Sequence, residues 1–155
     1  MAAAIGFTSG LRTFTPLALV SWLALWGWIP LSGSRLWFFG TPTGAILVSI
    51  LALGELIGDK LPKTPARVTA GPLVARVLTG ALSSTAISLV GGEPRIIGLL
   101  AGAIGAVAGA FAGYYARHFV VRQLRVPDLI VALAEDFLTI GGTLGLLAYL
   151  FSKPL

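Results

Sequence analysis

Residues 95–119 read RIIGLLAGAIGAVAGAFAGYYARHF, and this stretch indicates the fold class of the chain. No charged residue occurs between Arg95 and Arg117. The uncharged stretch between them therefore has the length of about 20 residues that a helix needs to cross a bilayer. Other apolar runs of similar length are separated by proline, glycine and charge. The predicted spans are Ala3–Trp28, Thr41–Leu61, Gly71–Val90, Arg95–Phe119 and Pro127–Phe151. The sequence therefore predicts an all-α, polytopic transmembrane helix bundle of about five spans, forming a single integral membrane domain over residues 1–155.

The composition excludes several classes of protein and site. Of the 155 residues, 56% are hydrophobic and 11% are charged, whereas soluble domains carry about a quarter charged residues. Five spans leave no room for a soluble catalytic domain. The chain has no cysteine and His118 is its one histidine, which excludes thiolate chemistry and histidine-cluster metal sites. We expect no cofactor and no nucleic-acid partner, because a net charge of +5 in a membrane protein indicates basic cytoplasmic loops.

The basic residues predict how the chain is oriented. With five spans, one membrane face receives seven of them, and the opposite face receives three. The seven are Lys60, Lys63, Arg67, Arg76, Arg117, Arg122 and Arg125, and the three are Arg35, Arg95 and Lys153. The positive-inside rule then places the N-terminus in the cytoplasm and the C-terminus outside.

Ionisable residues inside the spans fall at a similar depth, toward the predicted cytoplasmic side. They are Arg12, Glu55, Asp59, Arg76, Glu135 and Asp136. A charge in hydrocarbon costs several kcal/mol unless it is paired or hydrated. These side chains are therefore expected to face one another or a water-filled cleft, as a ligand-binding site or as a structural ion-pair lock.

The first span contains a predicted break between Gly10 and Pro16. Pro16 removes a helical hydrogen bond and disfavours helix at Thr15. Irregular backbone at membrane depth is tolerated where protein or water covers it, and transporters place ligand sites at such breaks. One interpretation is that the break and Arg12 form a cationic cradle for a carboxylate or phosphate. The other is a proline kink with Arg12 reaching the headgroups.

Glycines recur along the fourth span at spacings of three and four residues. They are Gly98, Gly102, Gly105, Gly109 and Gly113. Small residues at this spacing allow close approach of another helix, so we predict a packing role. The sequence does not decide between a helix of the same chain and a second protomer.

Three segments resemble a known family: GLRTFTP at 10–16, GELIGDKLPKTPARVTAGPLVARVLTGAL at 54–82, and ALAEDFLTIGG at 132–142. They are similar to bacterial integral membrane proteins grouped as domain of unknown function 4126, over nearly the whole chain. The positions that match its motifs are Arg12, Glu55, Lys60, Pro62 and Glu135. The chain departs from the pattern after Pro62, where the family often has an acidic residue. The resemblance implies location in a bacterial inner membrane but no activity.

The leading hypothesis is a transporter or permeation unit for a small anionic or proton-coupled solute. In this hypothesis Arg12 binds the anion, and Glu55 or Glu135 carries protons, because loss of water favours the neutral form of a carboxyl group. Five spans are few for a solute pathway, so we expect a homo-oligomer surrounded by membrane lipid. One alternative is a scaffold or accessory subunit of a membrane complex, with structural charges. The other is a Mg²⁺-dependent enzyme acting on lipid phosphate, with Glu55, Asp59, Glu135 and Asp136 as candidate ligands. We favour a non-enzymatic role, since no phosphotransfer signature is present.

Overall fold

A computed structural model describes residues 1–59 and 67–152, and this part of the chain is helical with no β-strand. The α-helices are α1 (Ala2–Leu11), α2 (Thr15–Leu25), α3 (Pro42–Gly58), α4 (Ala70–Val90), α5 (Arg95–Arg122) and α6 (Asp128–Ser152). A short 3-10 helix, Trp37–Gly40, precedes α3. The predicted all-α bundle is confirmed.

Three of these helices, α4, α5 and α6, are long and apolar enough to cross a membrane. The apolar helix α3 has 17 residues, which gives it a length of about 26 Å, at the short end of what spans a bilayer. The predicted first span is divided between α1 and α2, which have 10 and 11 residues. Neither of these two helices is long enough to cross a membrane alone.

The break predicted in the first span is the tip of a helical hairpin. At one end of α1, Ser84 donates to the carbonyl of Ala2, and at its other end Arg76 donates to the carbonyl of Gly10. These contacts make α1 antiparallel to α4. Helix α2 runs the opposite way to α1, because its start contacts Glu55 near the end of α3, whereas Trp22 donates to Ser49 further back in α3. The chain therefore reverses direction at residues 12–14, and α1 starts toward the opposite end of the bundle from Arg76. The predicted N-terminus on the membrane face of the basic residues is wrong for this path, because the predicted first span turns back instead of crossing the bundle.

Helix α1 lies inside the bundle, packed against α4, α5 and α6. Glycines make this possible. A Cβ on Gly6 would overlap the backbone of Gly102, and a Cβ on Gly105 would overlap the carbonyl of Ala3. A Cβ on Gly98 would likewise overlap the side chain of Ser88 in α4. The partners of the glycine stripe are thus α1 and α4 of the same chain.

The two ends of the bundle differ in chemistry. The charged end contains the hairpin tip, the end of α3, the start of α4 and the start of α6. The aromatic end contains Trp28, which packs edge-on against Phe151 with ring centroids 5.2 Å apart, and Trp37 beside Phe38. An apolar core that includes Val20, Ile29 and Ile87 lies toward the aromatic end. The buried charges therefore lie on one side of this core, and α6 runs from the charged end past the core to Phe151.

Candidate functional site

The hairpin tip is held by one carboxylate. The N–H groups of Thr13 and Phe14 donate to the two oxygens of Glu55, at 2.7 Å and 2.9 Å. These N–H groups precede the first turn of α2, where a helix has no internal acceptors for its amides. The negative charge also lies at the positive end of the α2 dipole. Glu55 therefore attaches the tip of the α1–α2 hairpin to α3.

Arg12 is the most enclosed charge of the site, with none of its side chain exposed. One terminal nitrogen pairs with Asp59 at the end of α3, and the other pairs with Asp136 of α6. The second nitrogen also lies 3.5 Å from the carbonyl of Ala132. Its Nε has no partner among the described residues. A guanidinium at the hairpin tip thus joins the two helices that flank it.

Arg76 links the start of α4 to the same tip. Its Nε donates to the carbonyl of Gly10 at 3.1 Å, and one terminal nitrogen lies 3.4 Å from Glu55. The Gly10 carbonyl belongs to the last turn of α1, where acceptors lack intrahelical donors and cations are favoured. Arg76 therefore satisfies the end of α1 while Glu55 satisfies the start of α2.

A second group of charges adjoins the first through Glu135. Arg67 pairs with Glu135 at 2.8 Å, and Arg117 lies 3.3 Å from the same carboxylate oxygen. Arg117 also forms a bidentate pair with Asp128 at 2.7 Å and 2.9 Å. Arg67 is buried, whereas the Asp128 side chain is 59% exposed. The network therefore extends from the enclosed Arg12 to the surface of the charged end.

The structure brings the six predicted residues to one end of the bundle. Two ion-paired sets consist only of predicted residues: Arg12 with Asp59 and Asp136, and Arg76 with Glu55. The sixth residue, Glu135, belongs to a third set with Arg67. Sequence reasoning missed Arg67, Arg117 and Asp128 as members. The charge count treats Arg67 and Arg117 only as basic residues of one membrane face, although Arg117 and Asp128 flank a short connection and must lie at a similar height. Lys60 and Pro62, which match the family motifs, and the predicted span end at Leu61 lie outside the described residues.

The four candidate Mg²⁺ ligands have arginine partners. Asp59 and Asp136 contact Arg12, Glu55 contacts Arg76, and Glu135 contacts Arg67. Within residues 1–59 and 67–152, no three acidic or histidine side chains come together as a metal-ligand set. In this conformation the four carboxylates therefore bind guanidinium groups.

Buried hydroxyls continue from the charges along α6. Thr139 and Thr143 follow Asp136 by one and two turns, and both are fully buried. Hydroxyls within helices ordinarily bond to the carbonyl four residues back, as that of Ser83 does here. Neither threonine hydroxyl has a partner in the described chain, and the same holds for Ser21 on the neighbouring α2. The buried face of α6 thus has unsatisfied polar groups over about 10 Å beyond Asp136.

The comparisons with known proteins identify a family but no characterised relative. No curated protein and no solved structure matches the chain significantly. The family model described as "Domain of unknown function (DUF4126)" matches residues 1–151. The chain, a helical protein with helices suited to crossing a membrane, therefore belongs to the family of domain of unknown function 4126.

Proposed function

We propose that this protein is a small transporter or permeation unit that couples protons to a small anion through the Arg12 cluster. The observation that carries the proposal is a fully enclosed guanidinium at the tip of a helical hairpin, clamped between Asp59 and Asp136. Interrupted helices with ionisable groups at the break are a common way to build ion and substrate sites in transporters. The cytoplasmic position of the charged end is part of this proposal.

The clamp supplies a coupling mechanism. While both carboxylates are ionised they occupy the two terminal nitrogens of Arg12, which excludes an anion. Protonation of Asp136 removes the charge that holds one nitrogen. Arg12 then has a guanidinium edge available for a carboxylate or phosphate oxygen. A proton and an anion would thus enter together, and neither would be favoured alone.

The unsatisfied hydroxyls suggest the route away from the clamp. Thr139 and Thr143 lie on the buried face of α6, on the side of Asp136 toward the aromatic end. A hydroxyl can both donate and accept a hydrogen bond, so it can support a proton or a solvated ion. Unpaired hydroxyls in an apolar bundle are costly. Their placement in line with Asp136 supports a polar path through the bundle. We infer that the transporting form contains more than one copy of the chain.

The test is proton movement into liposomes that contain the purified protein and an internal pH-sensitive dye. An imposed pH gradient is applied with chloride or inorganic phosphate as the probe anion. We expect faster dye response than in protein-free liposomes, a dependence on the anion, and loss of the response in Asp136→Asn. Flux equal to that of protein-free liposomes with both anions, or full flux in Asp136→Asn, would reject the proposal.

A matched pair of variants separates the site from general loss of charge. Glu135→Gln removes a carboxylate that pairs with Arg67, whereas Glu93→Gln removes an exposed carboxylate at the aromatic end. We expect a slower flux in the first variant and wild-type flux in the second. Both proteins must elute as the wild type does in size-exclusion chromatography, so that loss of folding is not mistaken for loss of function.

The second candidate function is a scaffold or accessory subunit of a membrane complex. Its support is the extent of pairing, because Glu55, Asp59, Glu135 and Asp136 each contact an arginine in this conformation. A structural lock would give no flux in liposomes, yet the same substitutions would lower the free energy of unfolding. The flux and unfolding measurements together therefore distinguish the two functions.

A further inference from the structure

A second candidate site starts at the aromatic end of the bundle and extends along α4 as far as Val77. A groove with a volume of about 680 Å³ runs between α4, α5 and residues 34–36, within the range of about 300–1,000 Å³ that is usual for ligand pockets. Its walls are almost entirely apolar, and several of these side chains are also exposed on the outside of the bundle. The main contributors are Leu78, Ala81 and Leu89 of α4 and Ile96, Leu99 and Ala103 of α5.

Two arginines lie where the groove reaches the aromatic end. Arg35 belongs to the connection before the 3-10 helix, and Arg95 is the first residue of α5. Both line the groove and both are exposed. Neither forms an ion pair with any described residue, in contrast to the paired arginines of the charged end. The groove therefore combines an apolar trough with two arginines that have no ion-pair partner in the part of the chain that the structure describes.

The length of the groove matches one leaflet of a bilayer. Along α5 it extends from Arg95 to Ala103, and along α4 from Leu89 to Val77, which correspond to about 12 Å and about 18 Å of helix. Half of a hydrocarbon core of about 30 Å is about 15 Å. Exposed Trp28 and Trp37 at the same end suit the headgroup level. The arginines would then lie at the level of lipid phosphates, with the groove reaching toward the bilayer midplane.

We propose that this groove binds an anionic phospholipid, with one acyl chain between α4 and α5 and the phosphate held by Arg35 and Arg95. Guanidinium groups bind phosphate oxygens through charge-assisted hydrogen bonds. A small soluble anion would use the arginines but leave the trough empty. A zwitterionic lipid such as phosphatidylcholine brings a cation of its own beside its phosphate and leaves the charge of the arginines uncompensated. This site is independent of the Arg12 cluster and of the proposed transport.

Native mass spectrometry of the detergent-solubilised protein tests the proposal. The protein is offered equal amounts of dimyristoyl phosphatidylglycerol and dimyristoyl phosphatidylcholine. We expect the complex with phosphatidylglycerol to dominate over that with phosphatidylcholine, because the phosphatidylglycerol headgroup carries a phosphate with no cation beside it. The double variant Arg35→Gln with Arg95→Gln should lose this preference. The matched double variant Arg122→Gln with Arg125→Gln, whose exposed arginines lie toward the charged end, should keep it.

A second pair of variants tests the acyl-chain part of the site. Ala103→Phe fills the groove, whereas Ala108→Phe places the same ring on an exposed position of α5 outside it. We expect loss of bound phosphatidylglycerol in the first variant and retention in the second. Equal retention in both variants, or no preference for the anionic lipid in the wild type, would overturn the proposal. Displacement of the lipid by millimolar inorganic phosphate would also overturn it, in favour of a soluble-anion site.

Discussion

Removal of Arg12 tests whether the clamp at the hairpin tip holds the bundle together. The Arg12 side chain is completely buried and contacts both Asp59 and Asp136. Arg12→Gln would leave these two carboxylates without their shared cation. Breaking a buried ion pair by removing one partner costs about 3–5 kcal/mol. We therefore expect the free energy of unfolding of Arg12→Gln to fall by about that amount.

The double variant identifies the coupling between the partners. Asp136→Asn alone leaves Arg12 paired with Asp59, so we expect a smaller loss of about 1–3 kcal/mol. The double variant Arg12→Gln with Asp136→Asn removes one of the two carboxylates that Arg12→Gln leaves unpaired. Its loss of stability should be smaller than the sum of the single losses by about 0.5–3 kcal/mol.

The assay is reversible unfolding in detergent micelles titrated with sodium dodecyl sulfate, followed by tryptophan fluorescence. The control cycle combines Arg12→Gln with Glu93→Gln, because Glu93 lies at the aromatic end and should add within about 0.5 kcal/mol. Strict additivity of Arg12→Gln with Asp136→Asn would mean that the two side chains are not coupled. The clamp would then be refuted, and with it the proposed proton-linked release of Arg12.

Two further predictions concern packing and orientation. Gly105→Leu should lower the free energy of unfolding by about 1–3 kcal/mol or more, because its side chain would overlap the α1 backbone. The control Gly141→Leu places the same side chain in open space and should change the free energy of unfolding by less than about 0.5 kcal/mol. Equal effects of the two variants in the same titration would contradict close packing of α1 on α5. Cysteines introduced at Arg122 and Arg35 of this cysteine-free chain should react with a membrane-impermeant maleimide from opposite sides of sealed vesicles, with position 122 cytoplasmic, and labelling of both from one side would reject the topology.

Much of the helical content could be predicted from hydropathy and from helix-breaking residues. Pro94 and Pro127 precede α5 and α6, and Thr41 caps α3 by accepting from the amide of Gly44 at 3.1 Å. These signals are local, since they depend on one residue and its next few neighbours. The predicted interruption near Pro16 belongs to the same class, because it follows from the backbone chemistry of proline.

The direction of the chain after that interruption could not be predicted. A broken helix and a hairpin use the same residues at the break, and only the packing of α1 beside Gly102 and Gly105 distinguishes them. The reversal brings Arg12 to a tip, where it is surrounded by α3 and α6. In a continuous span Arg12 would instead have neighbours above and below it on its own helix.

The amino-acid sequence alone predicts which stretches form long apolar helices and at what height along them the charges lie, because apolar length and rise per residue depend only on position along a helix. It also determined that the charges need partners. The pairing of Arg12 with Asp59 and Asp136, and of Arg67 with Glu135, is visible only in the folded chain. Pairing depends on which helices are neighbours and on their rotation about their axes, and these are set by side-chain packing across the whole bundle.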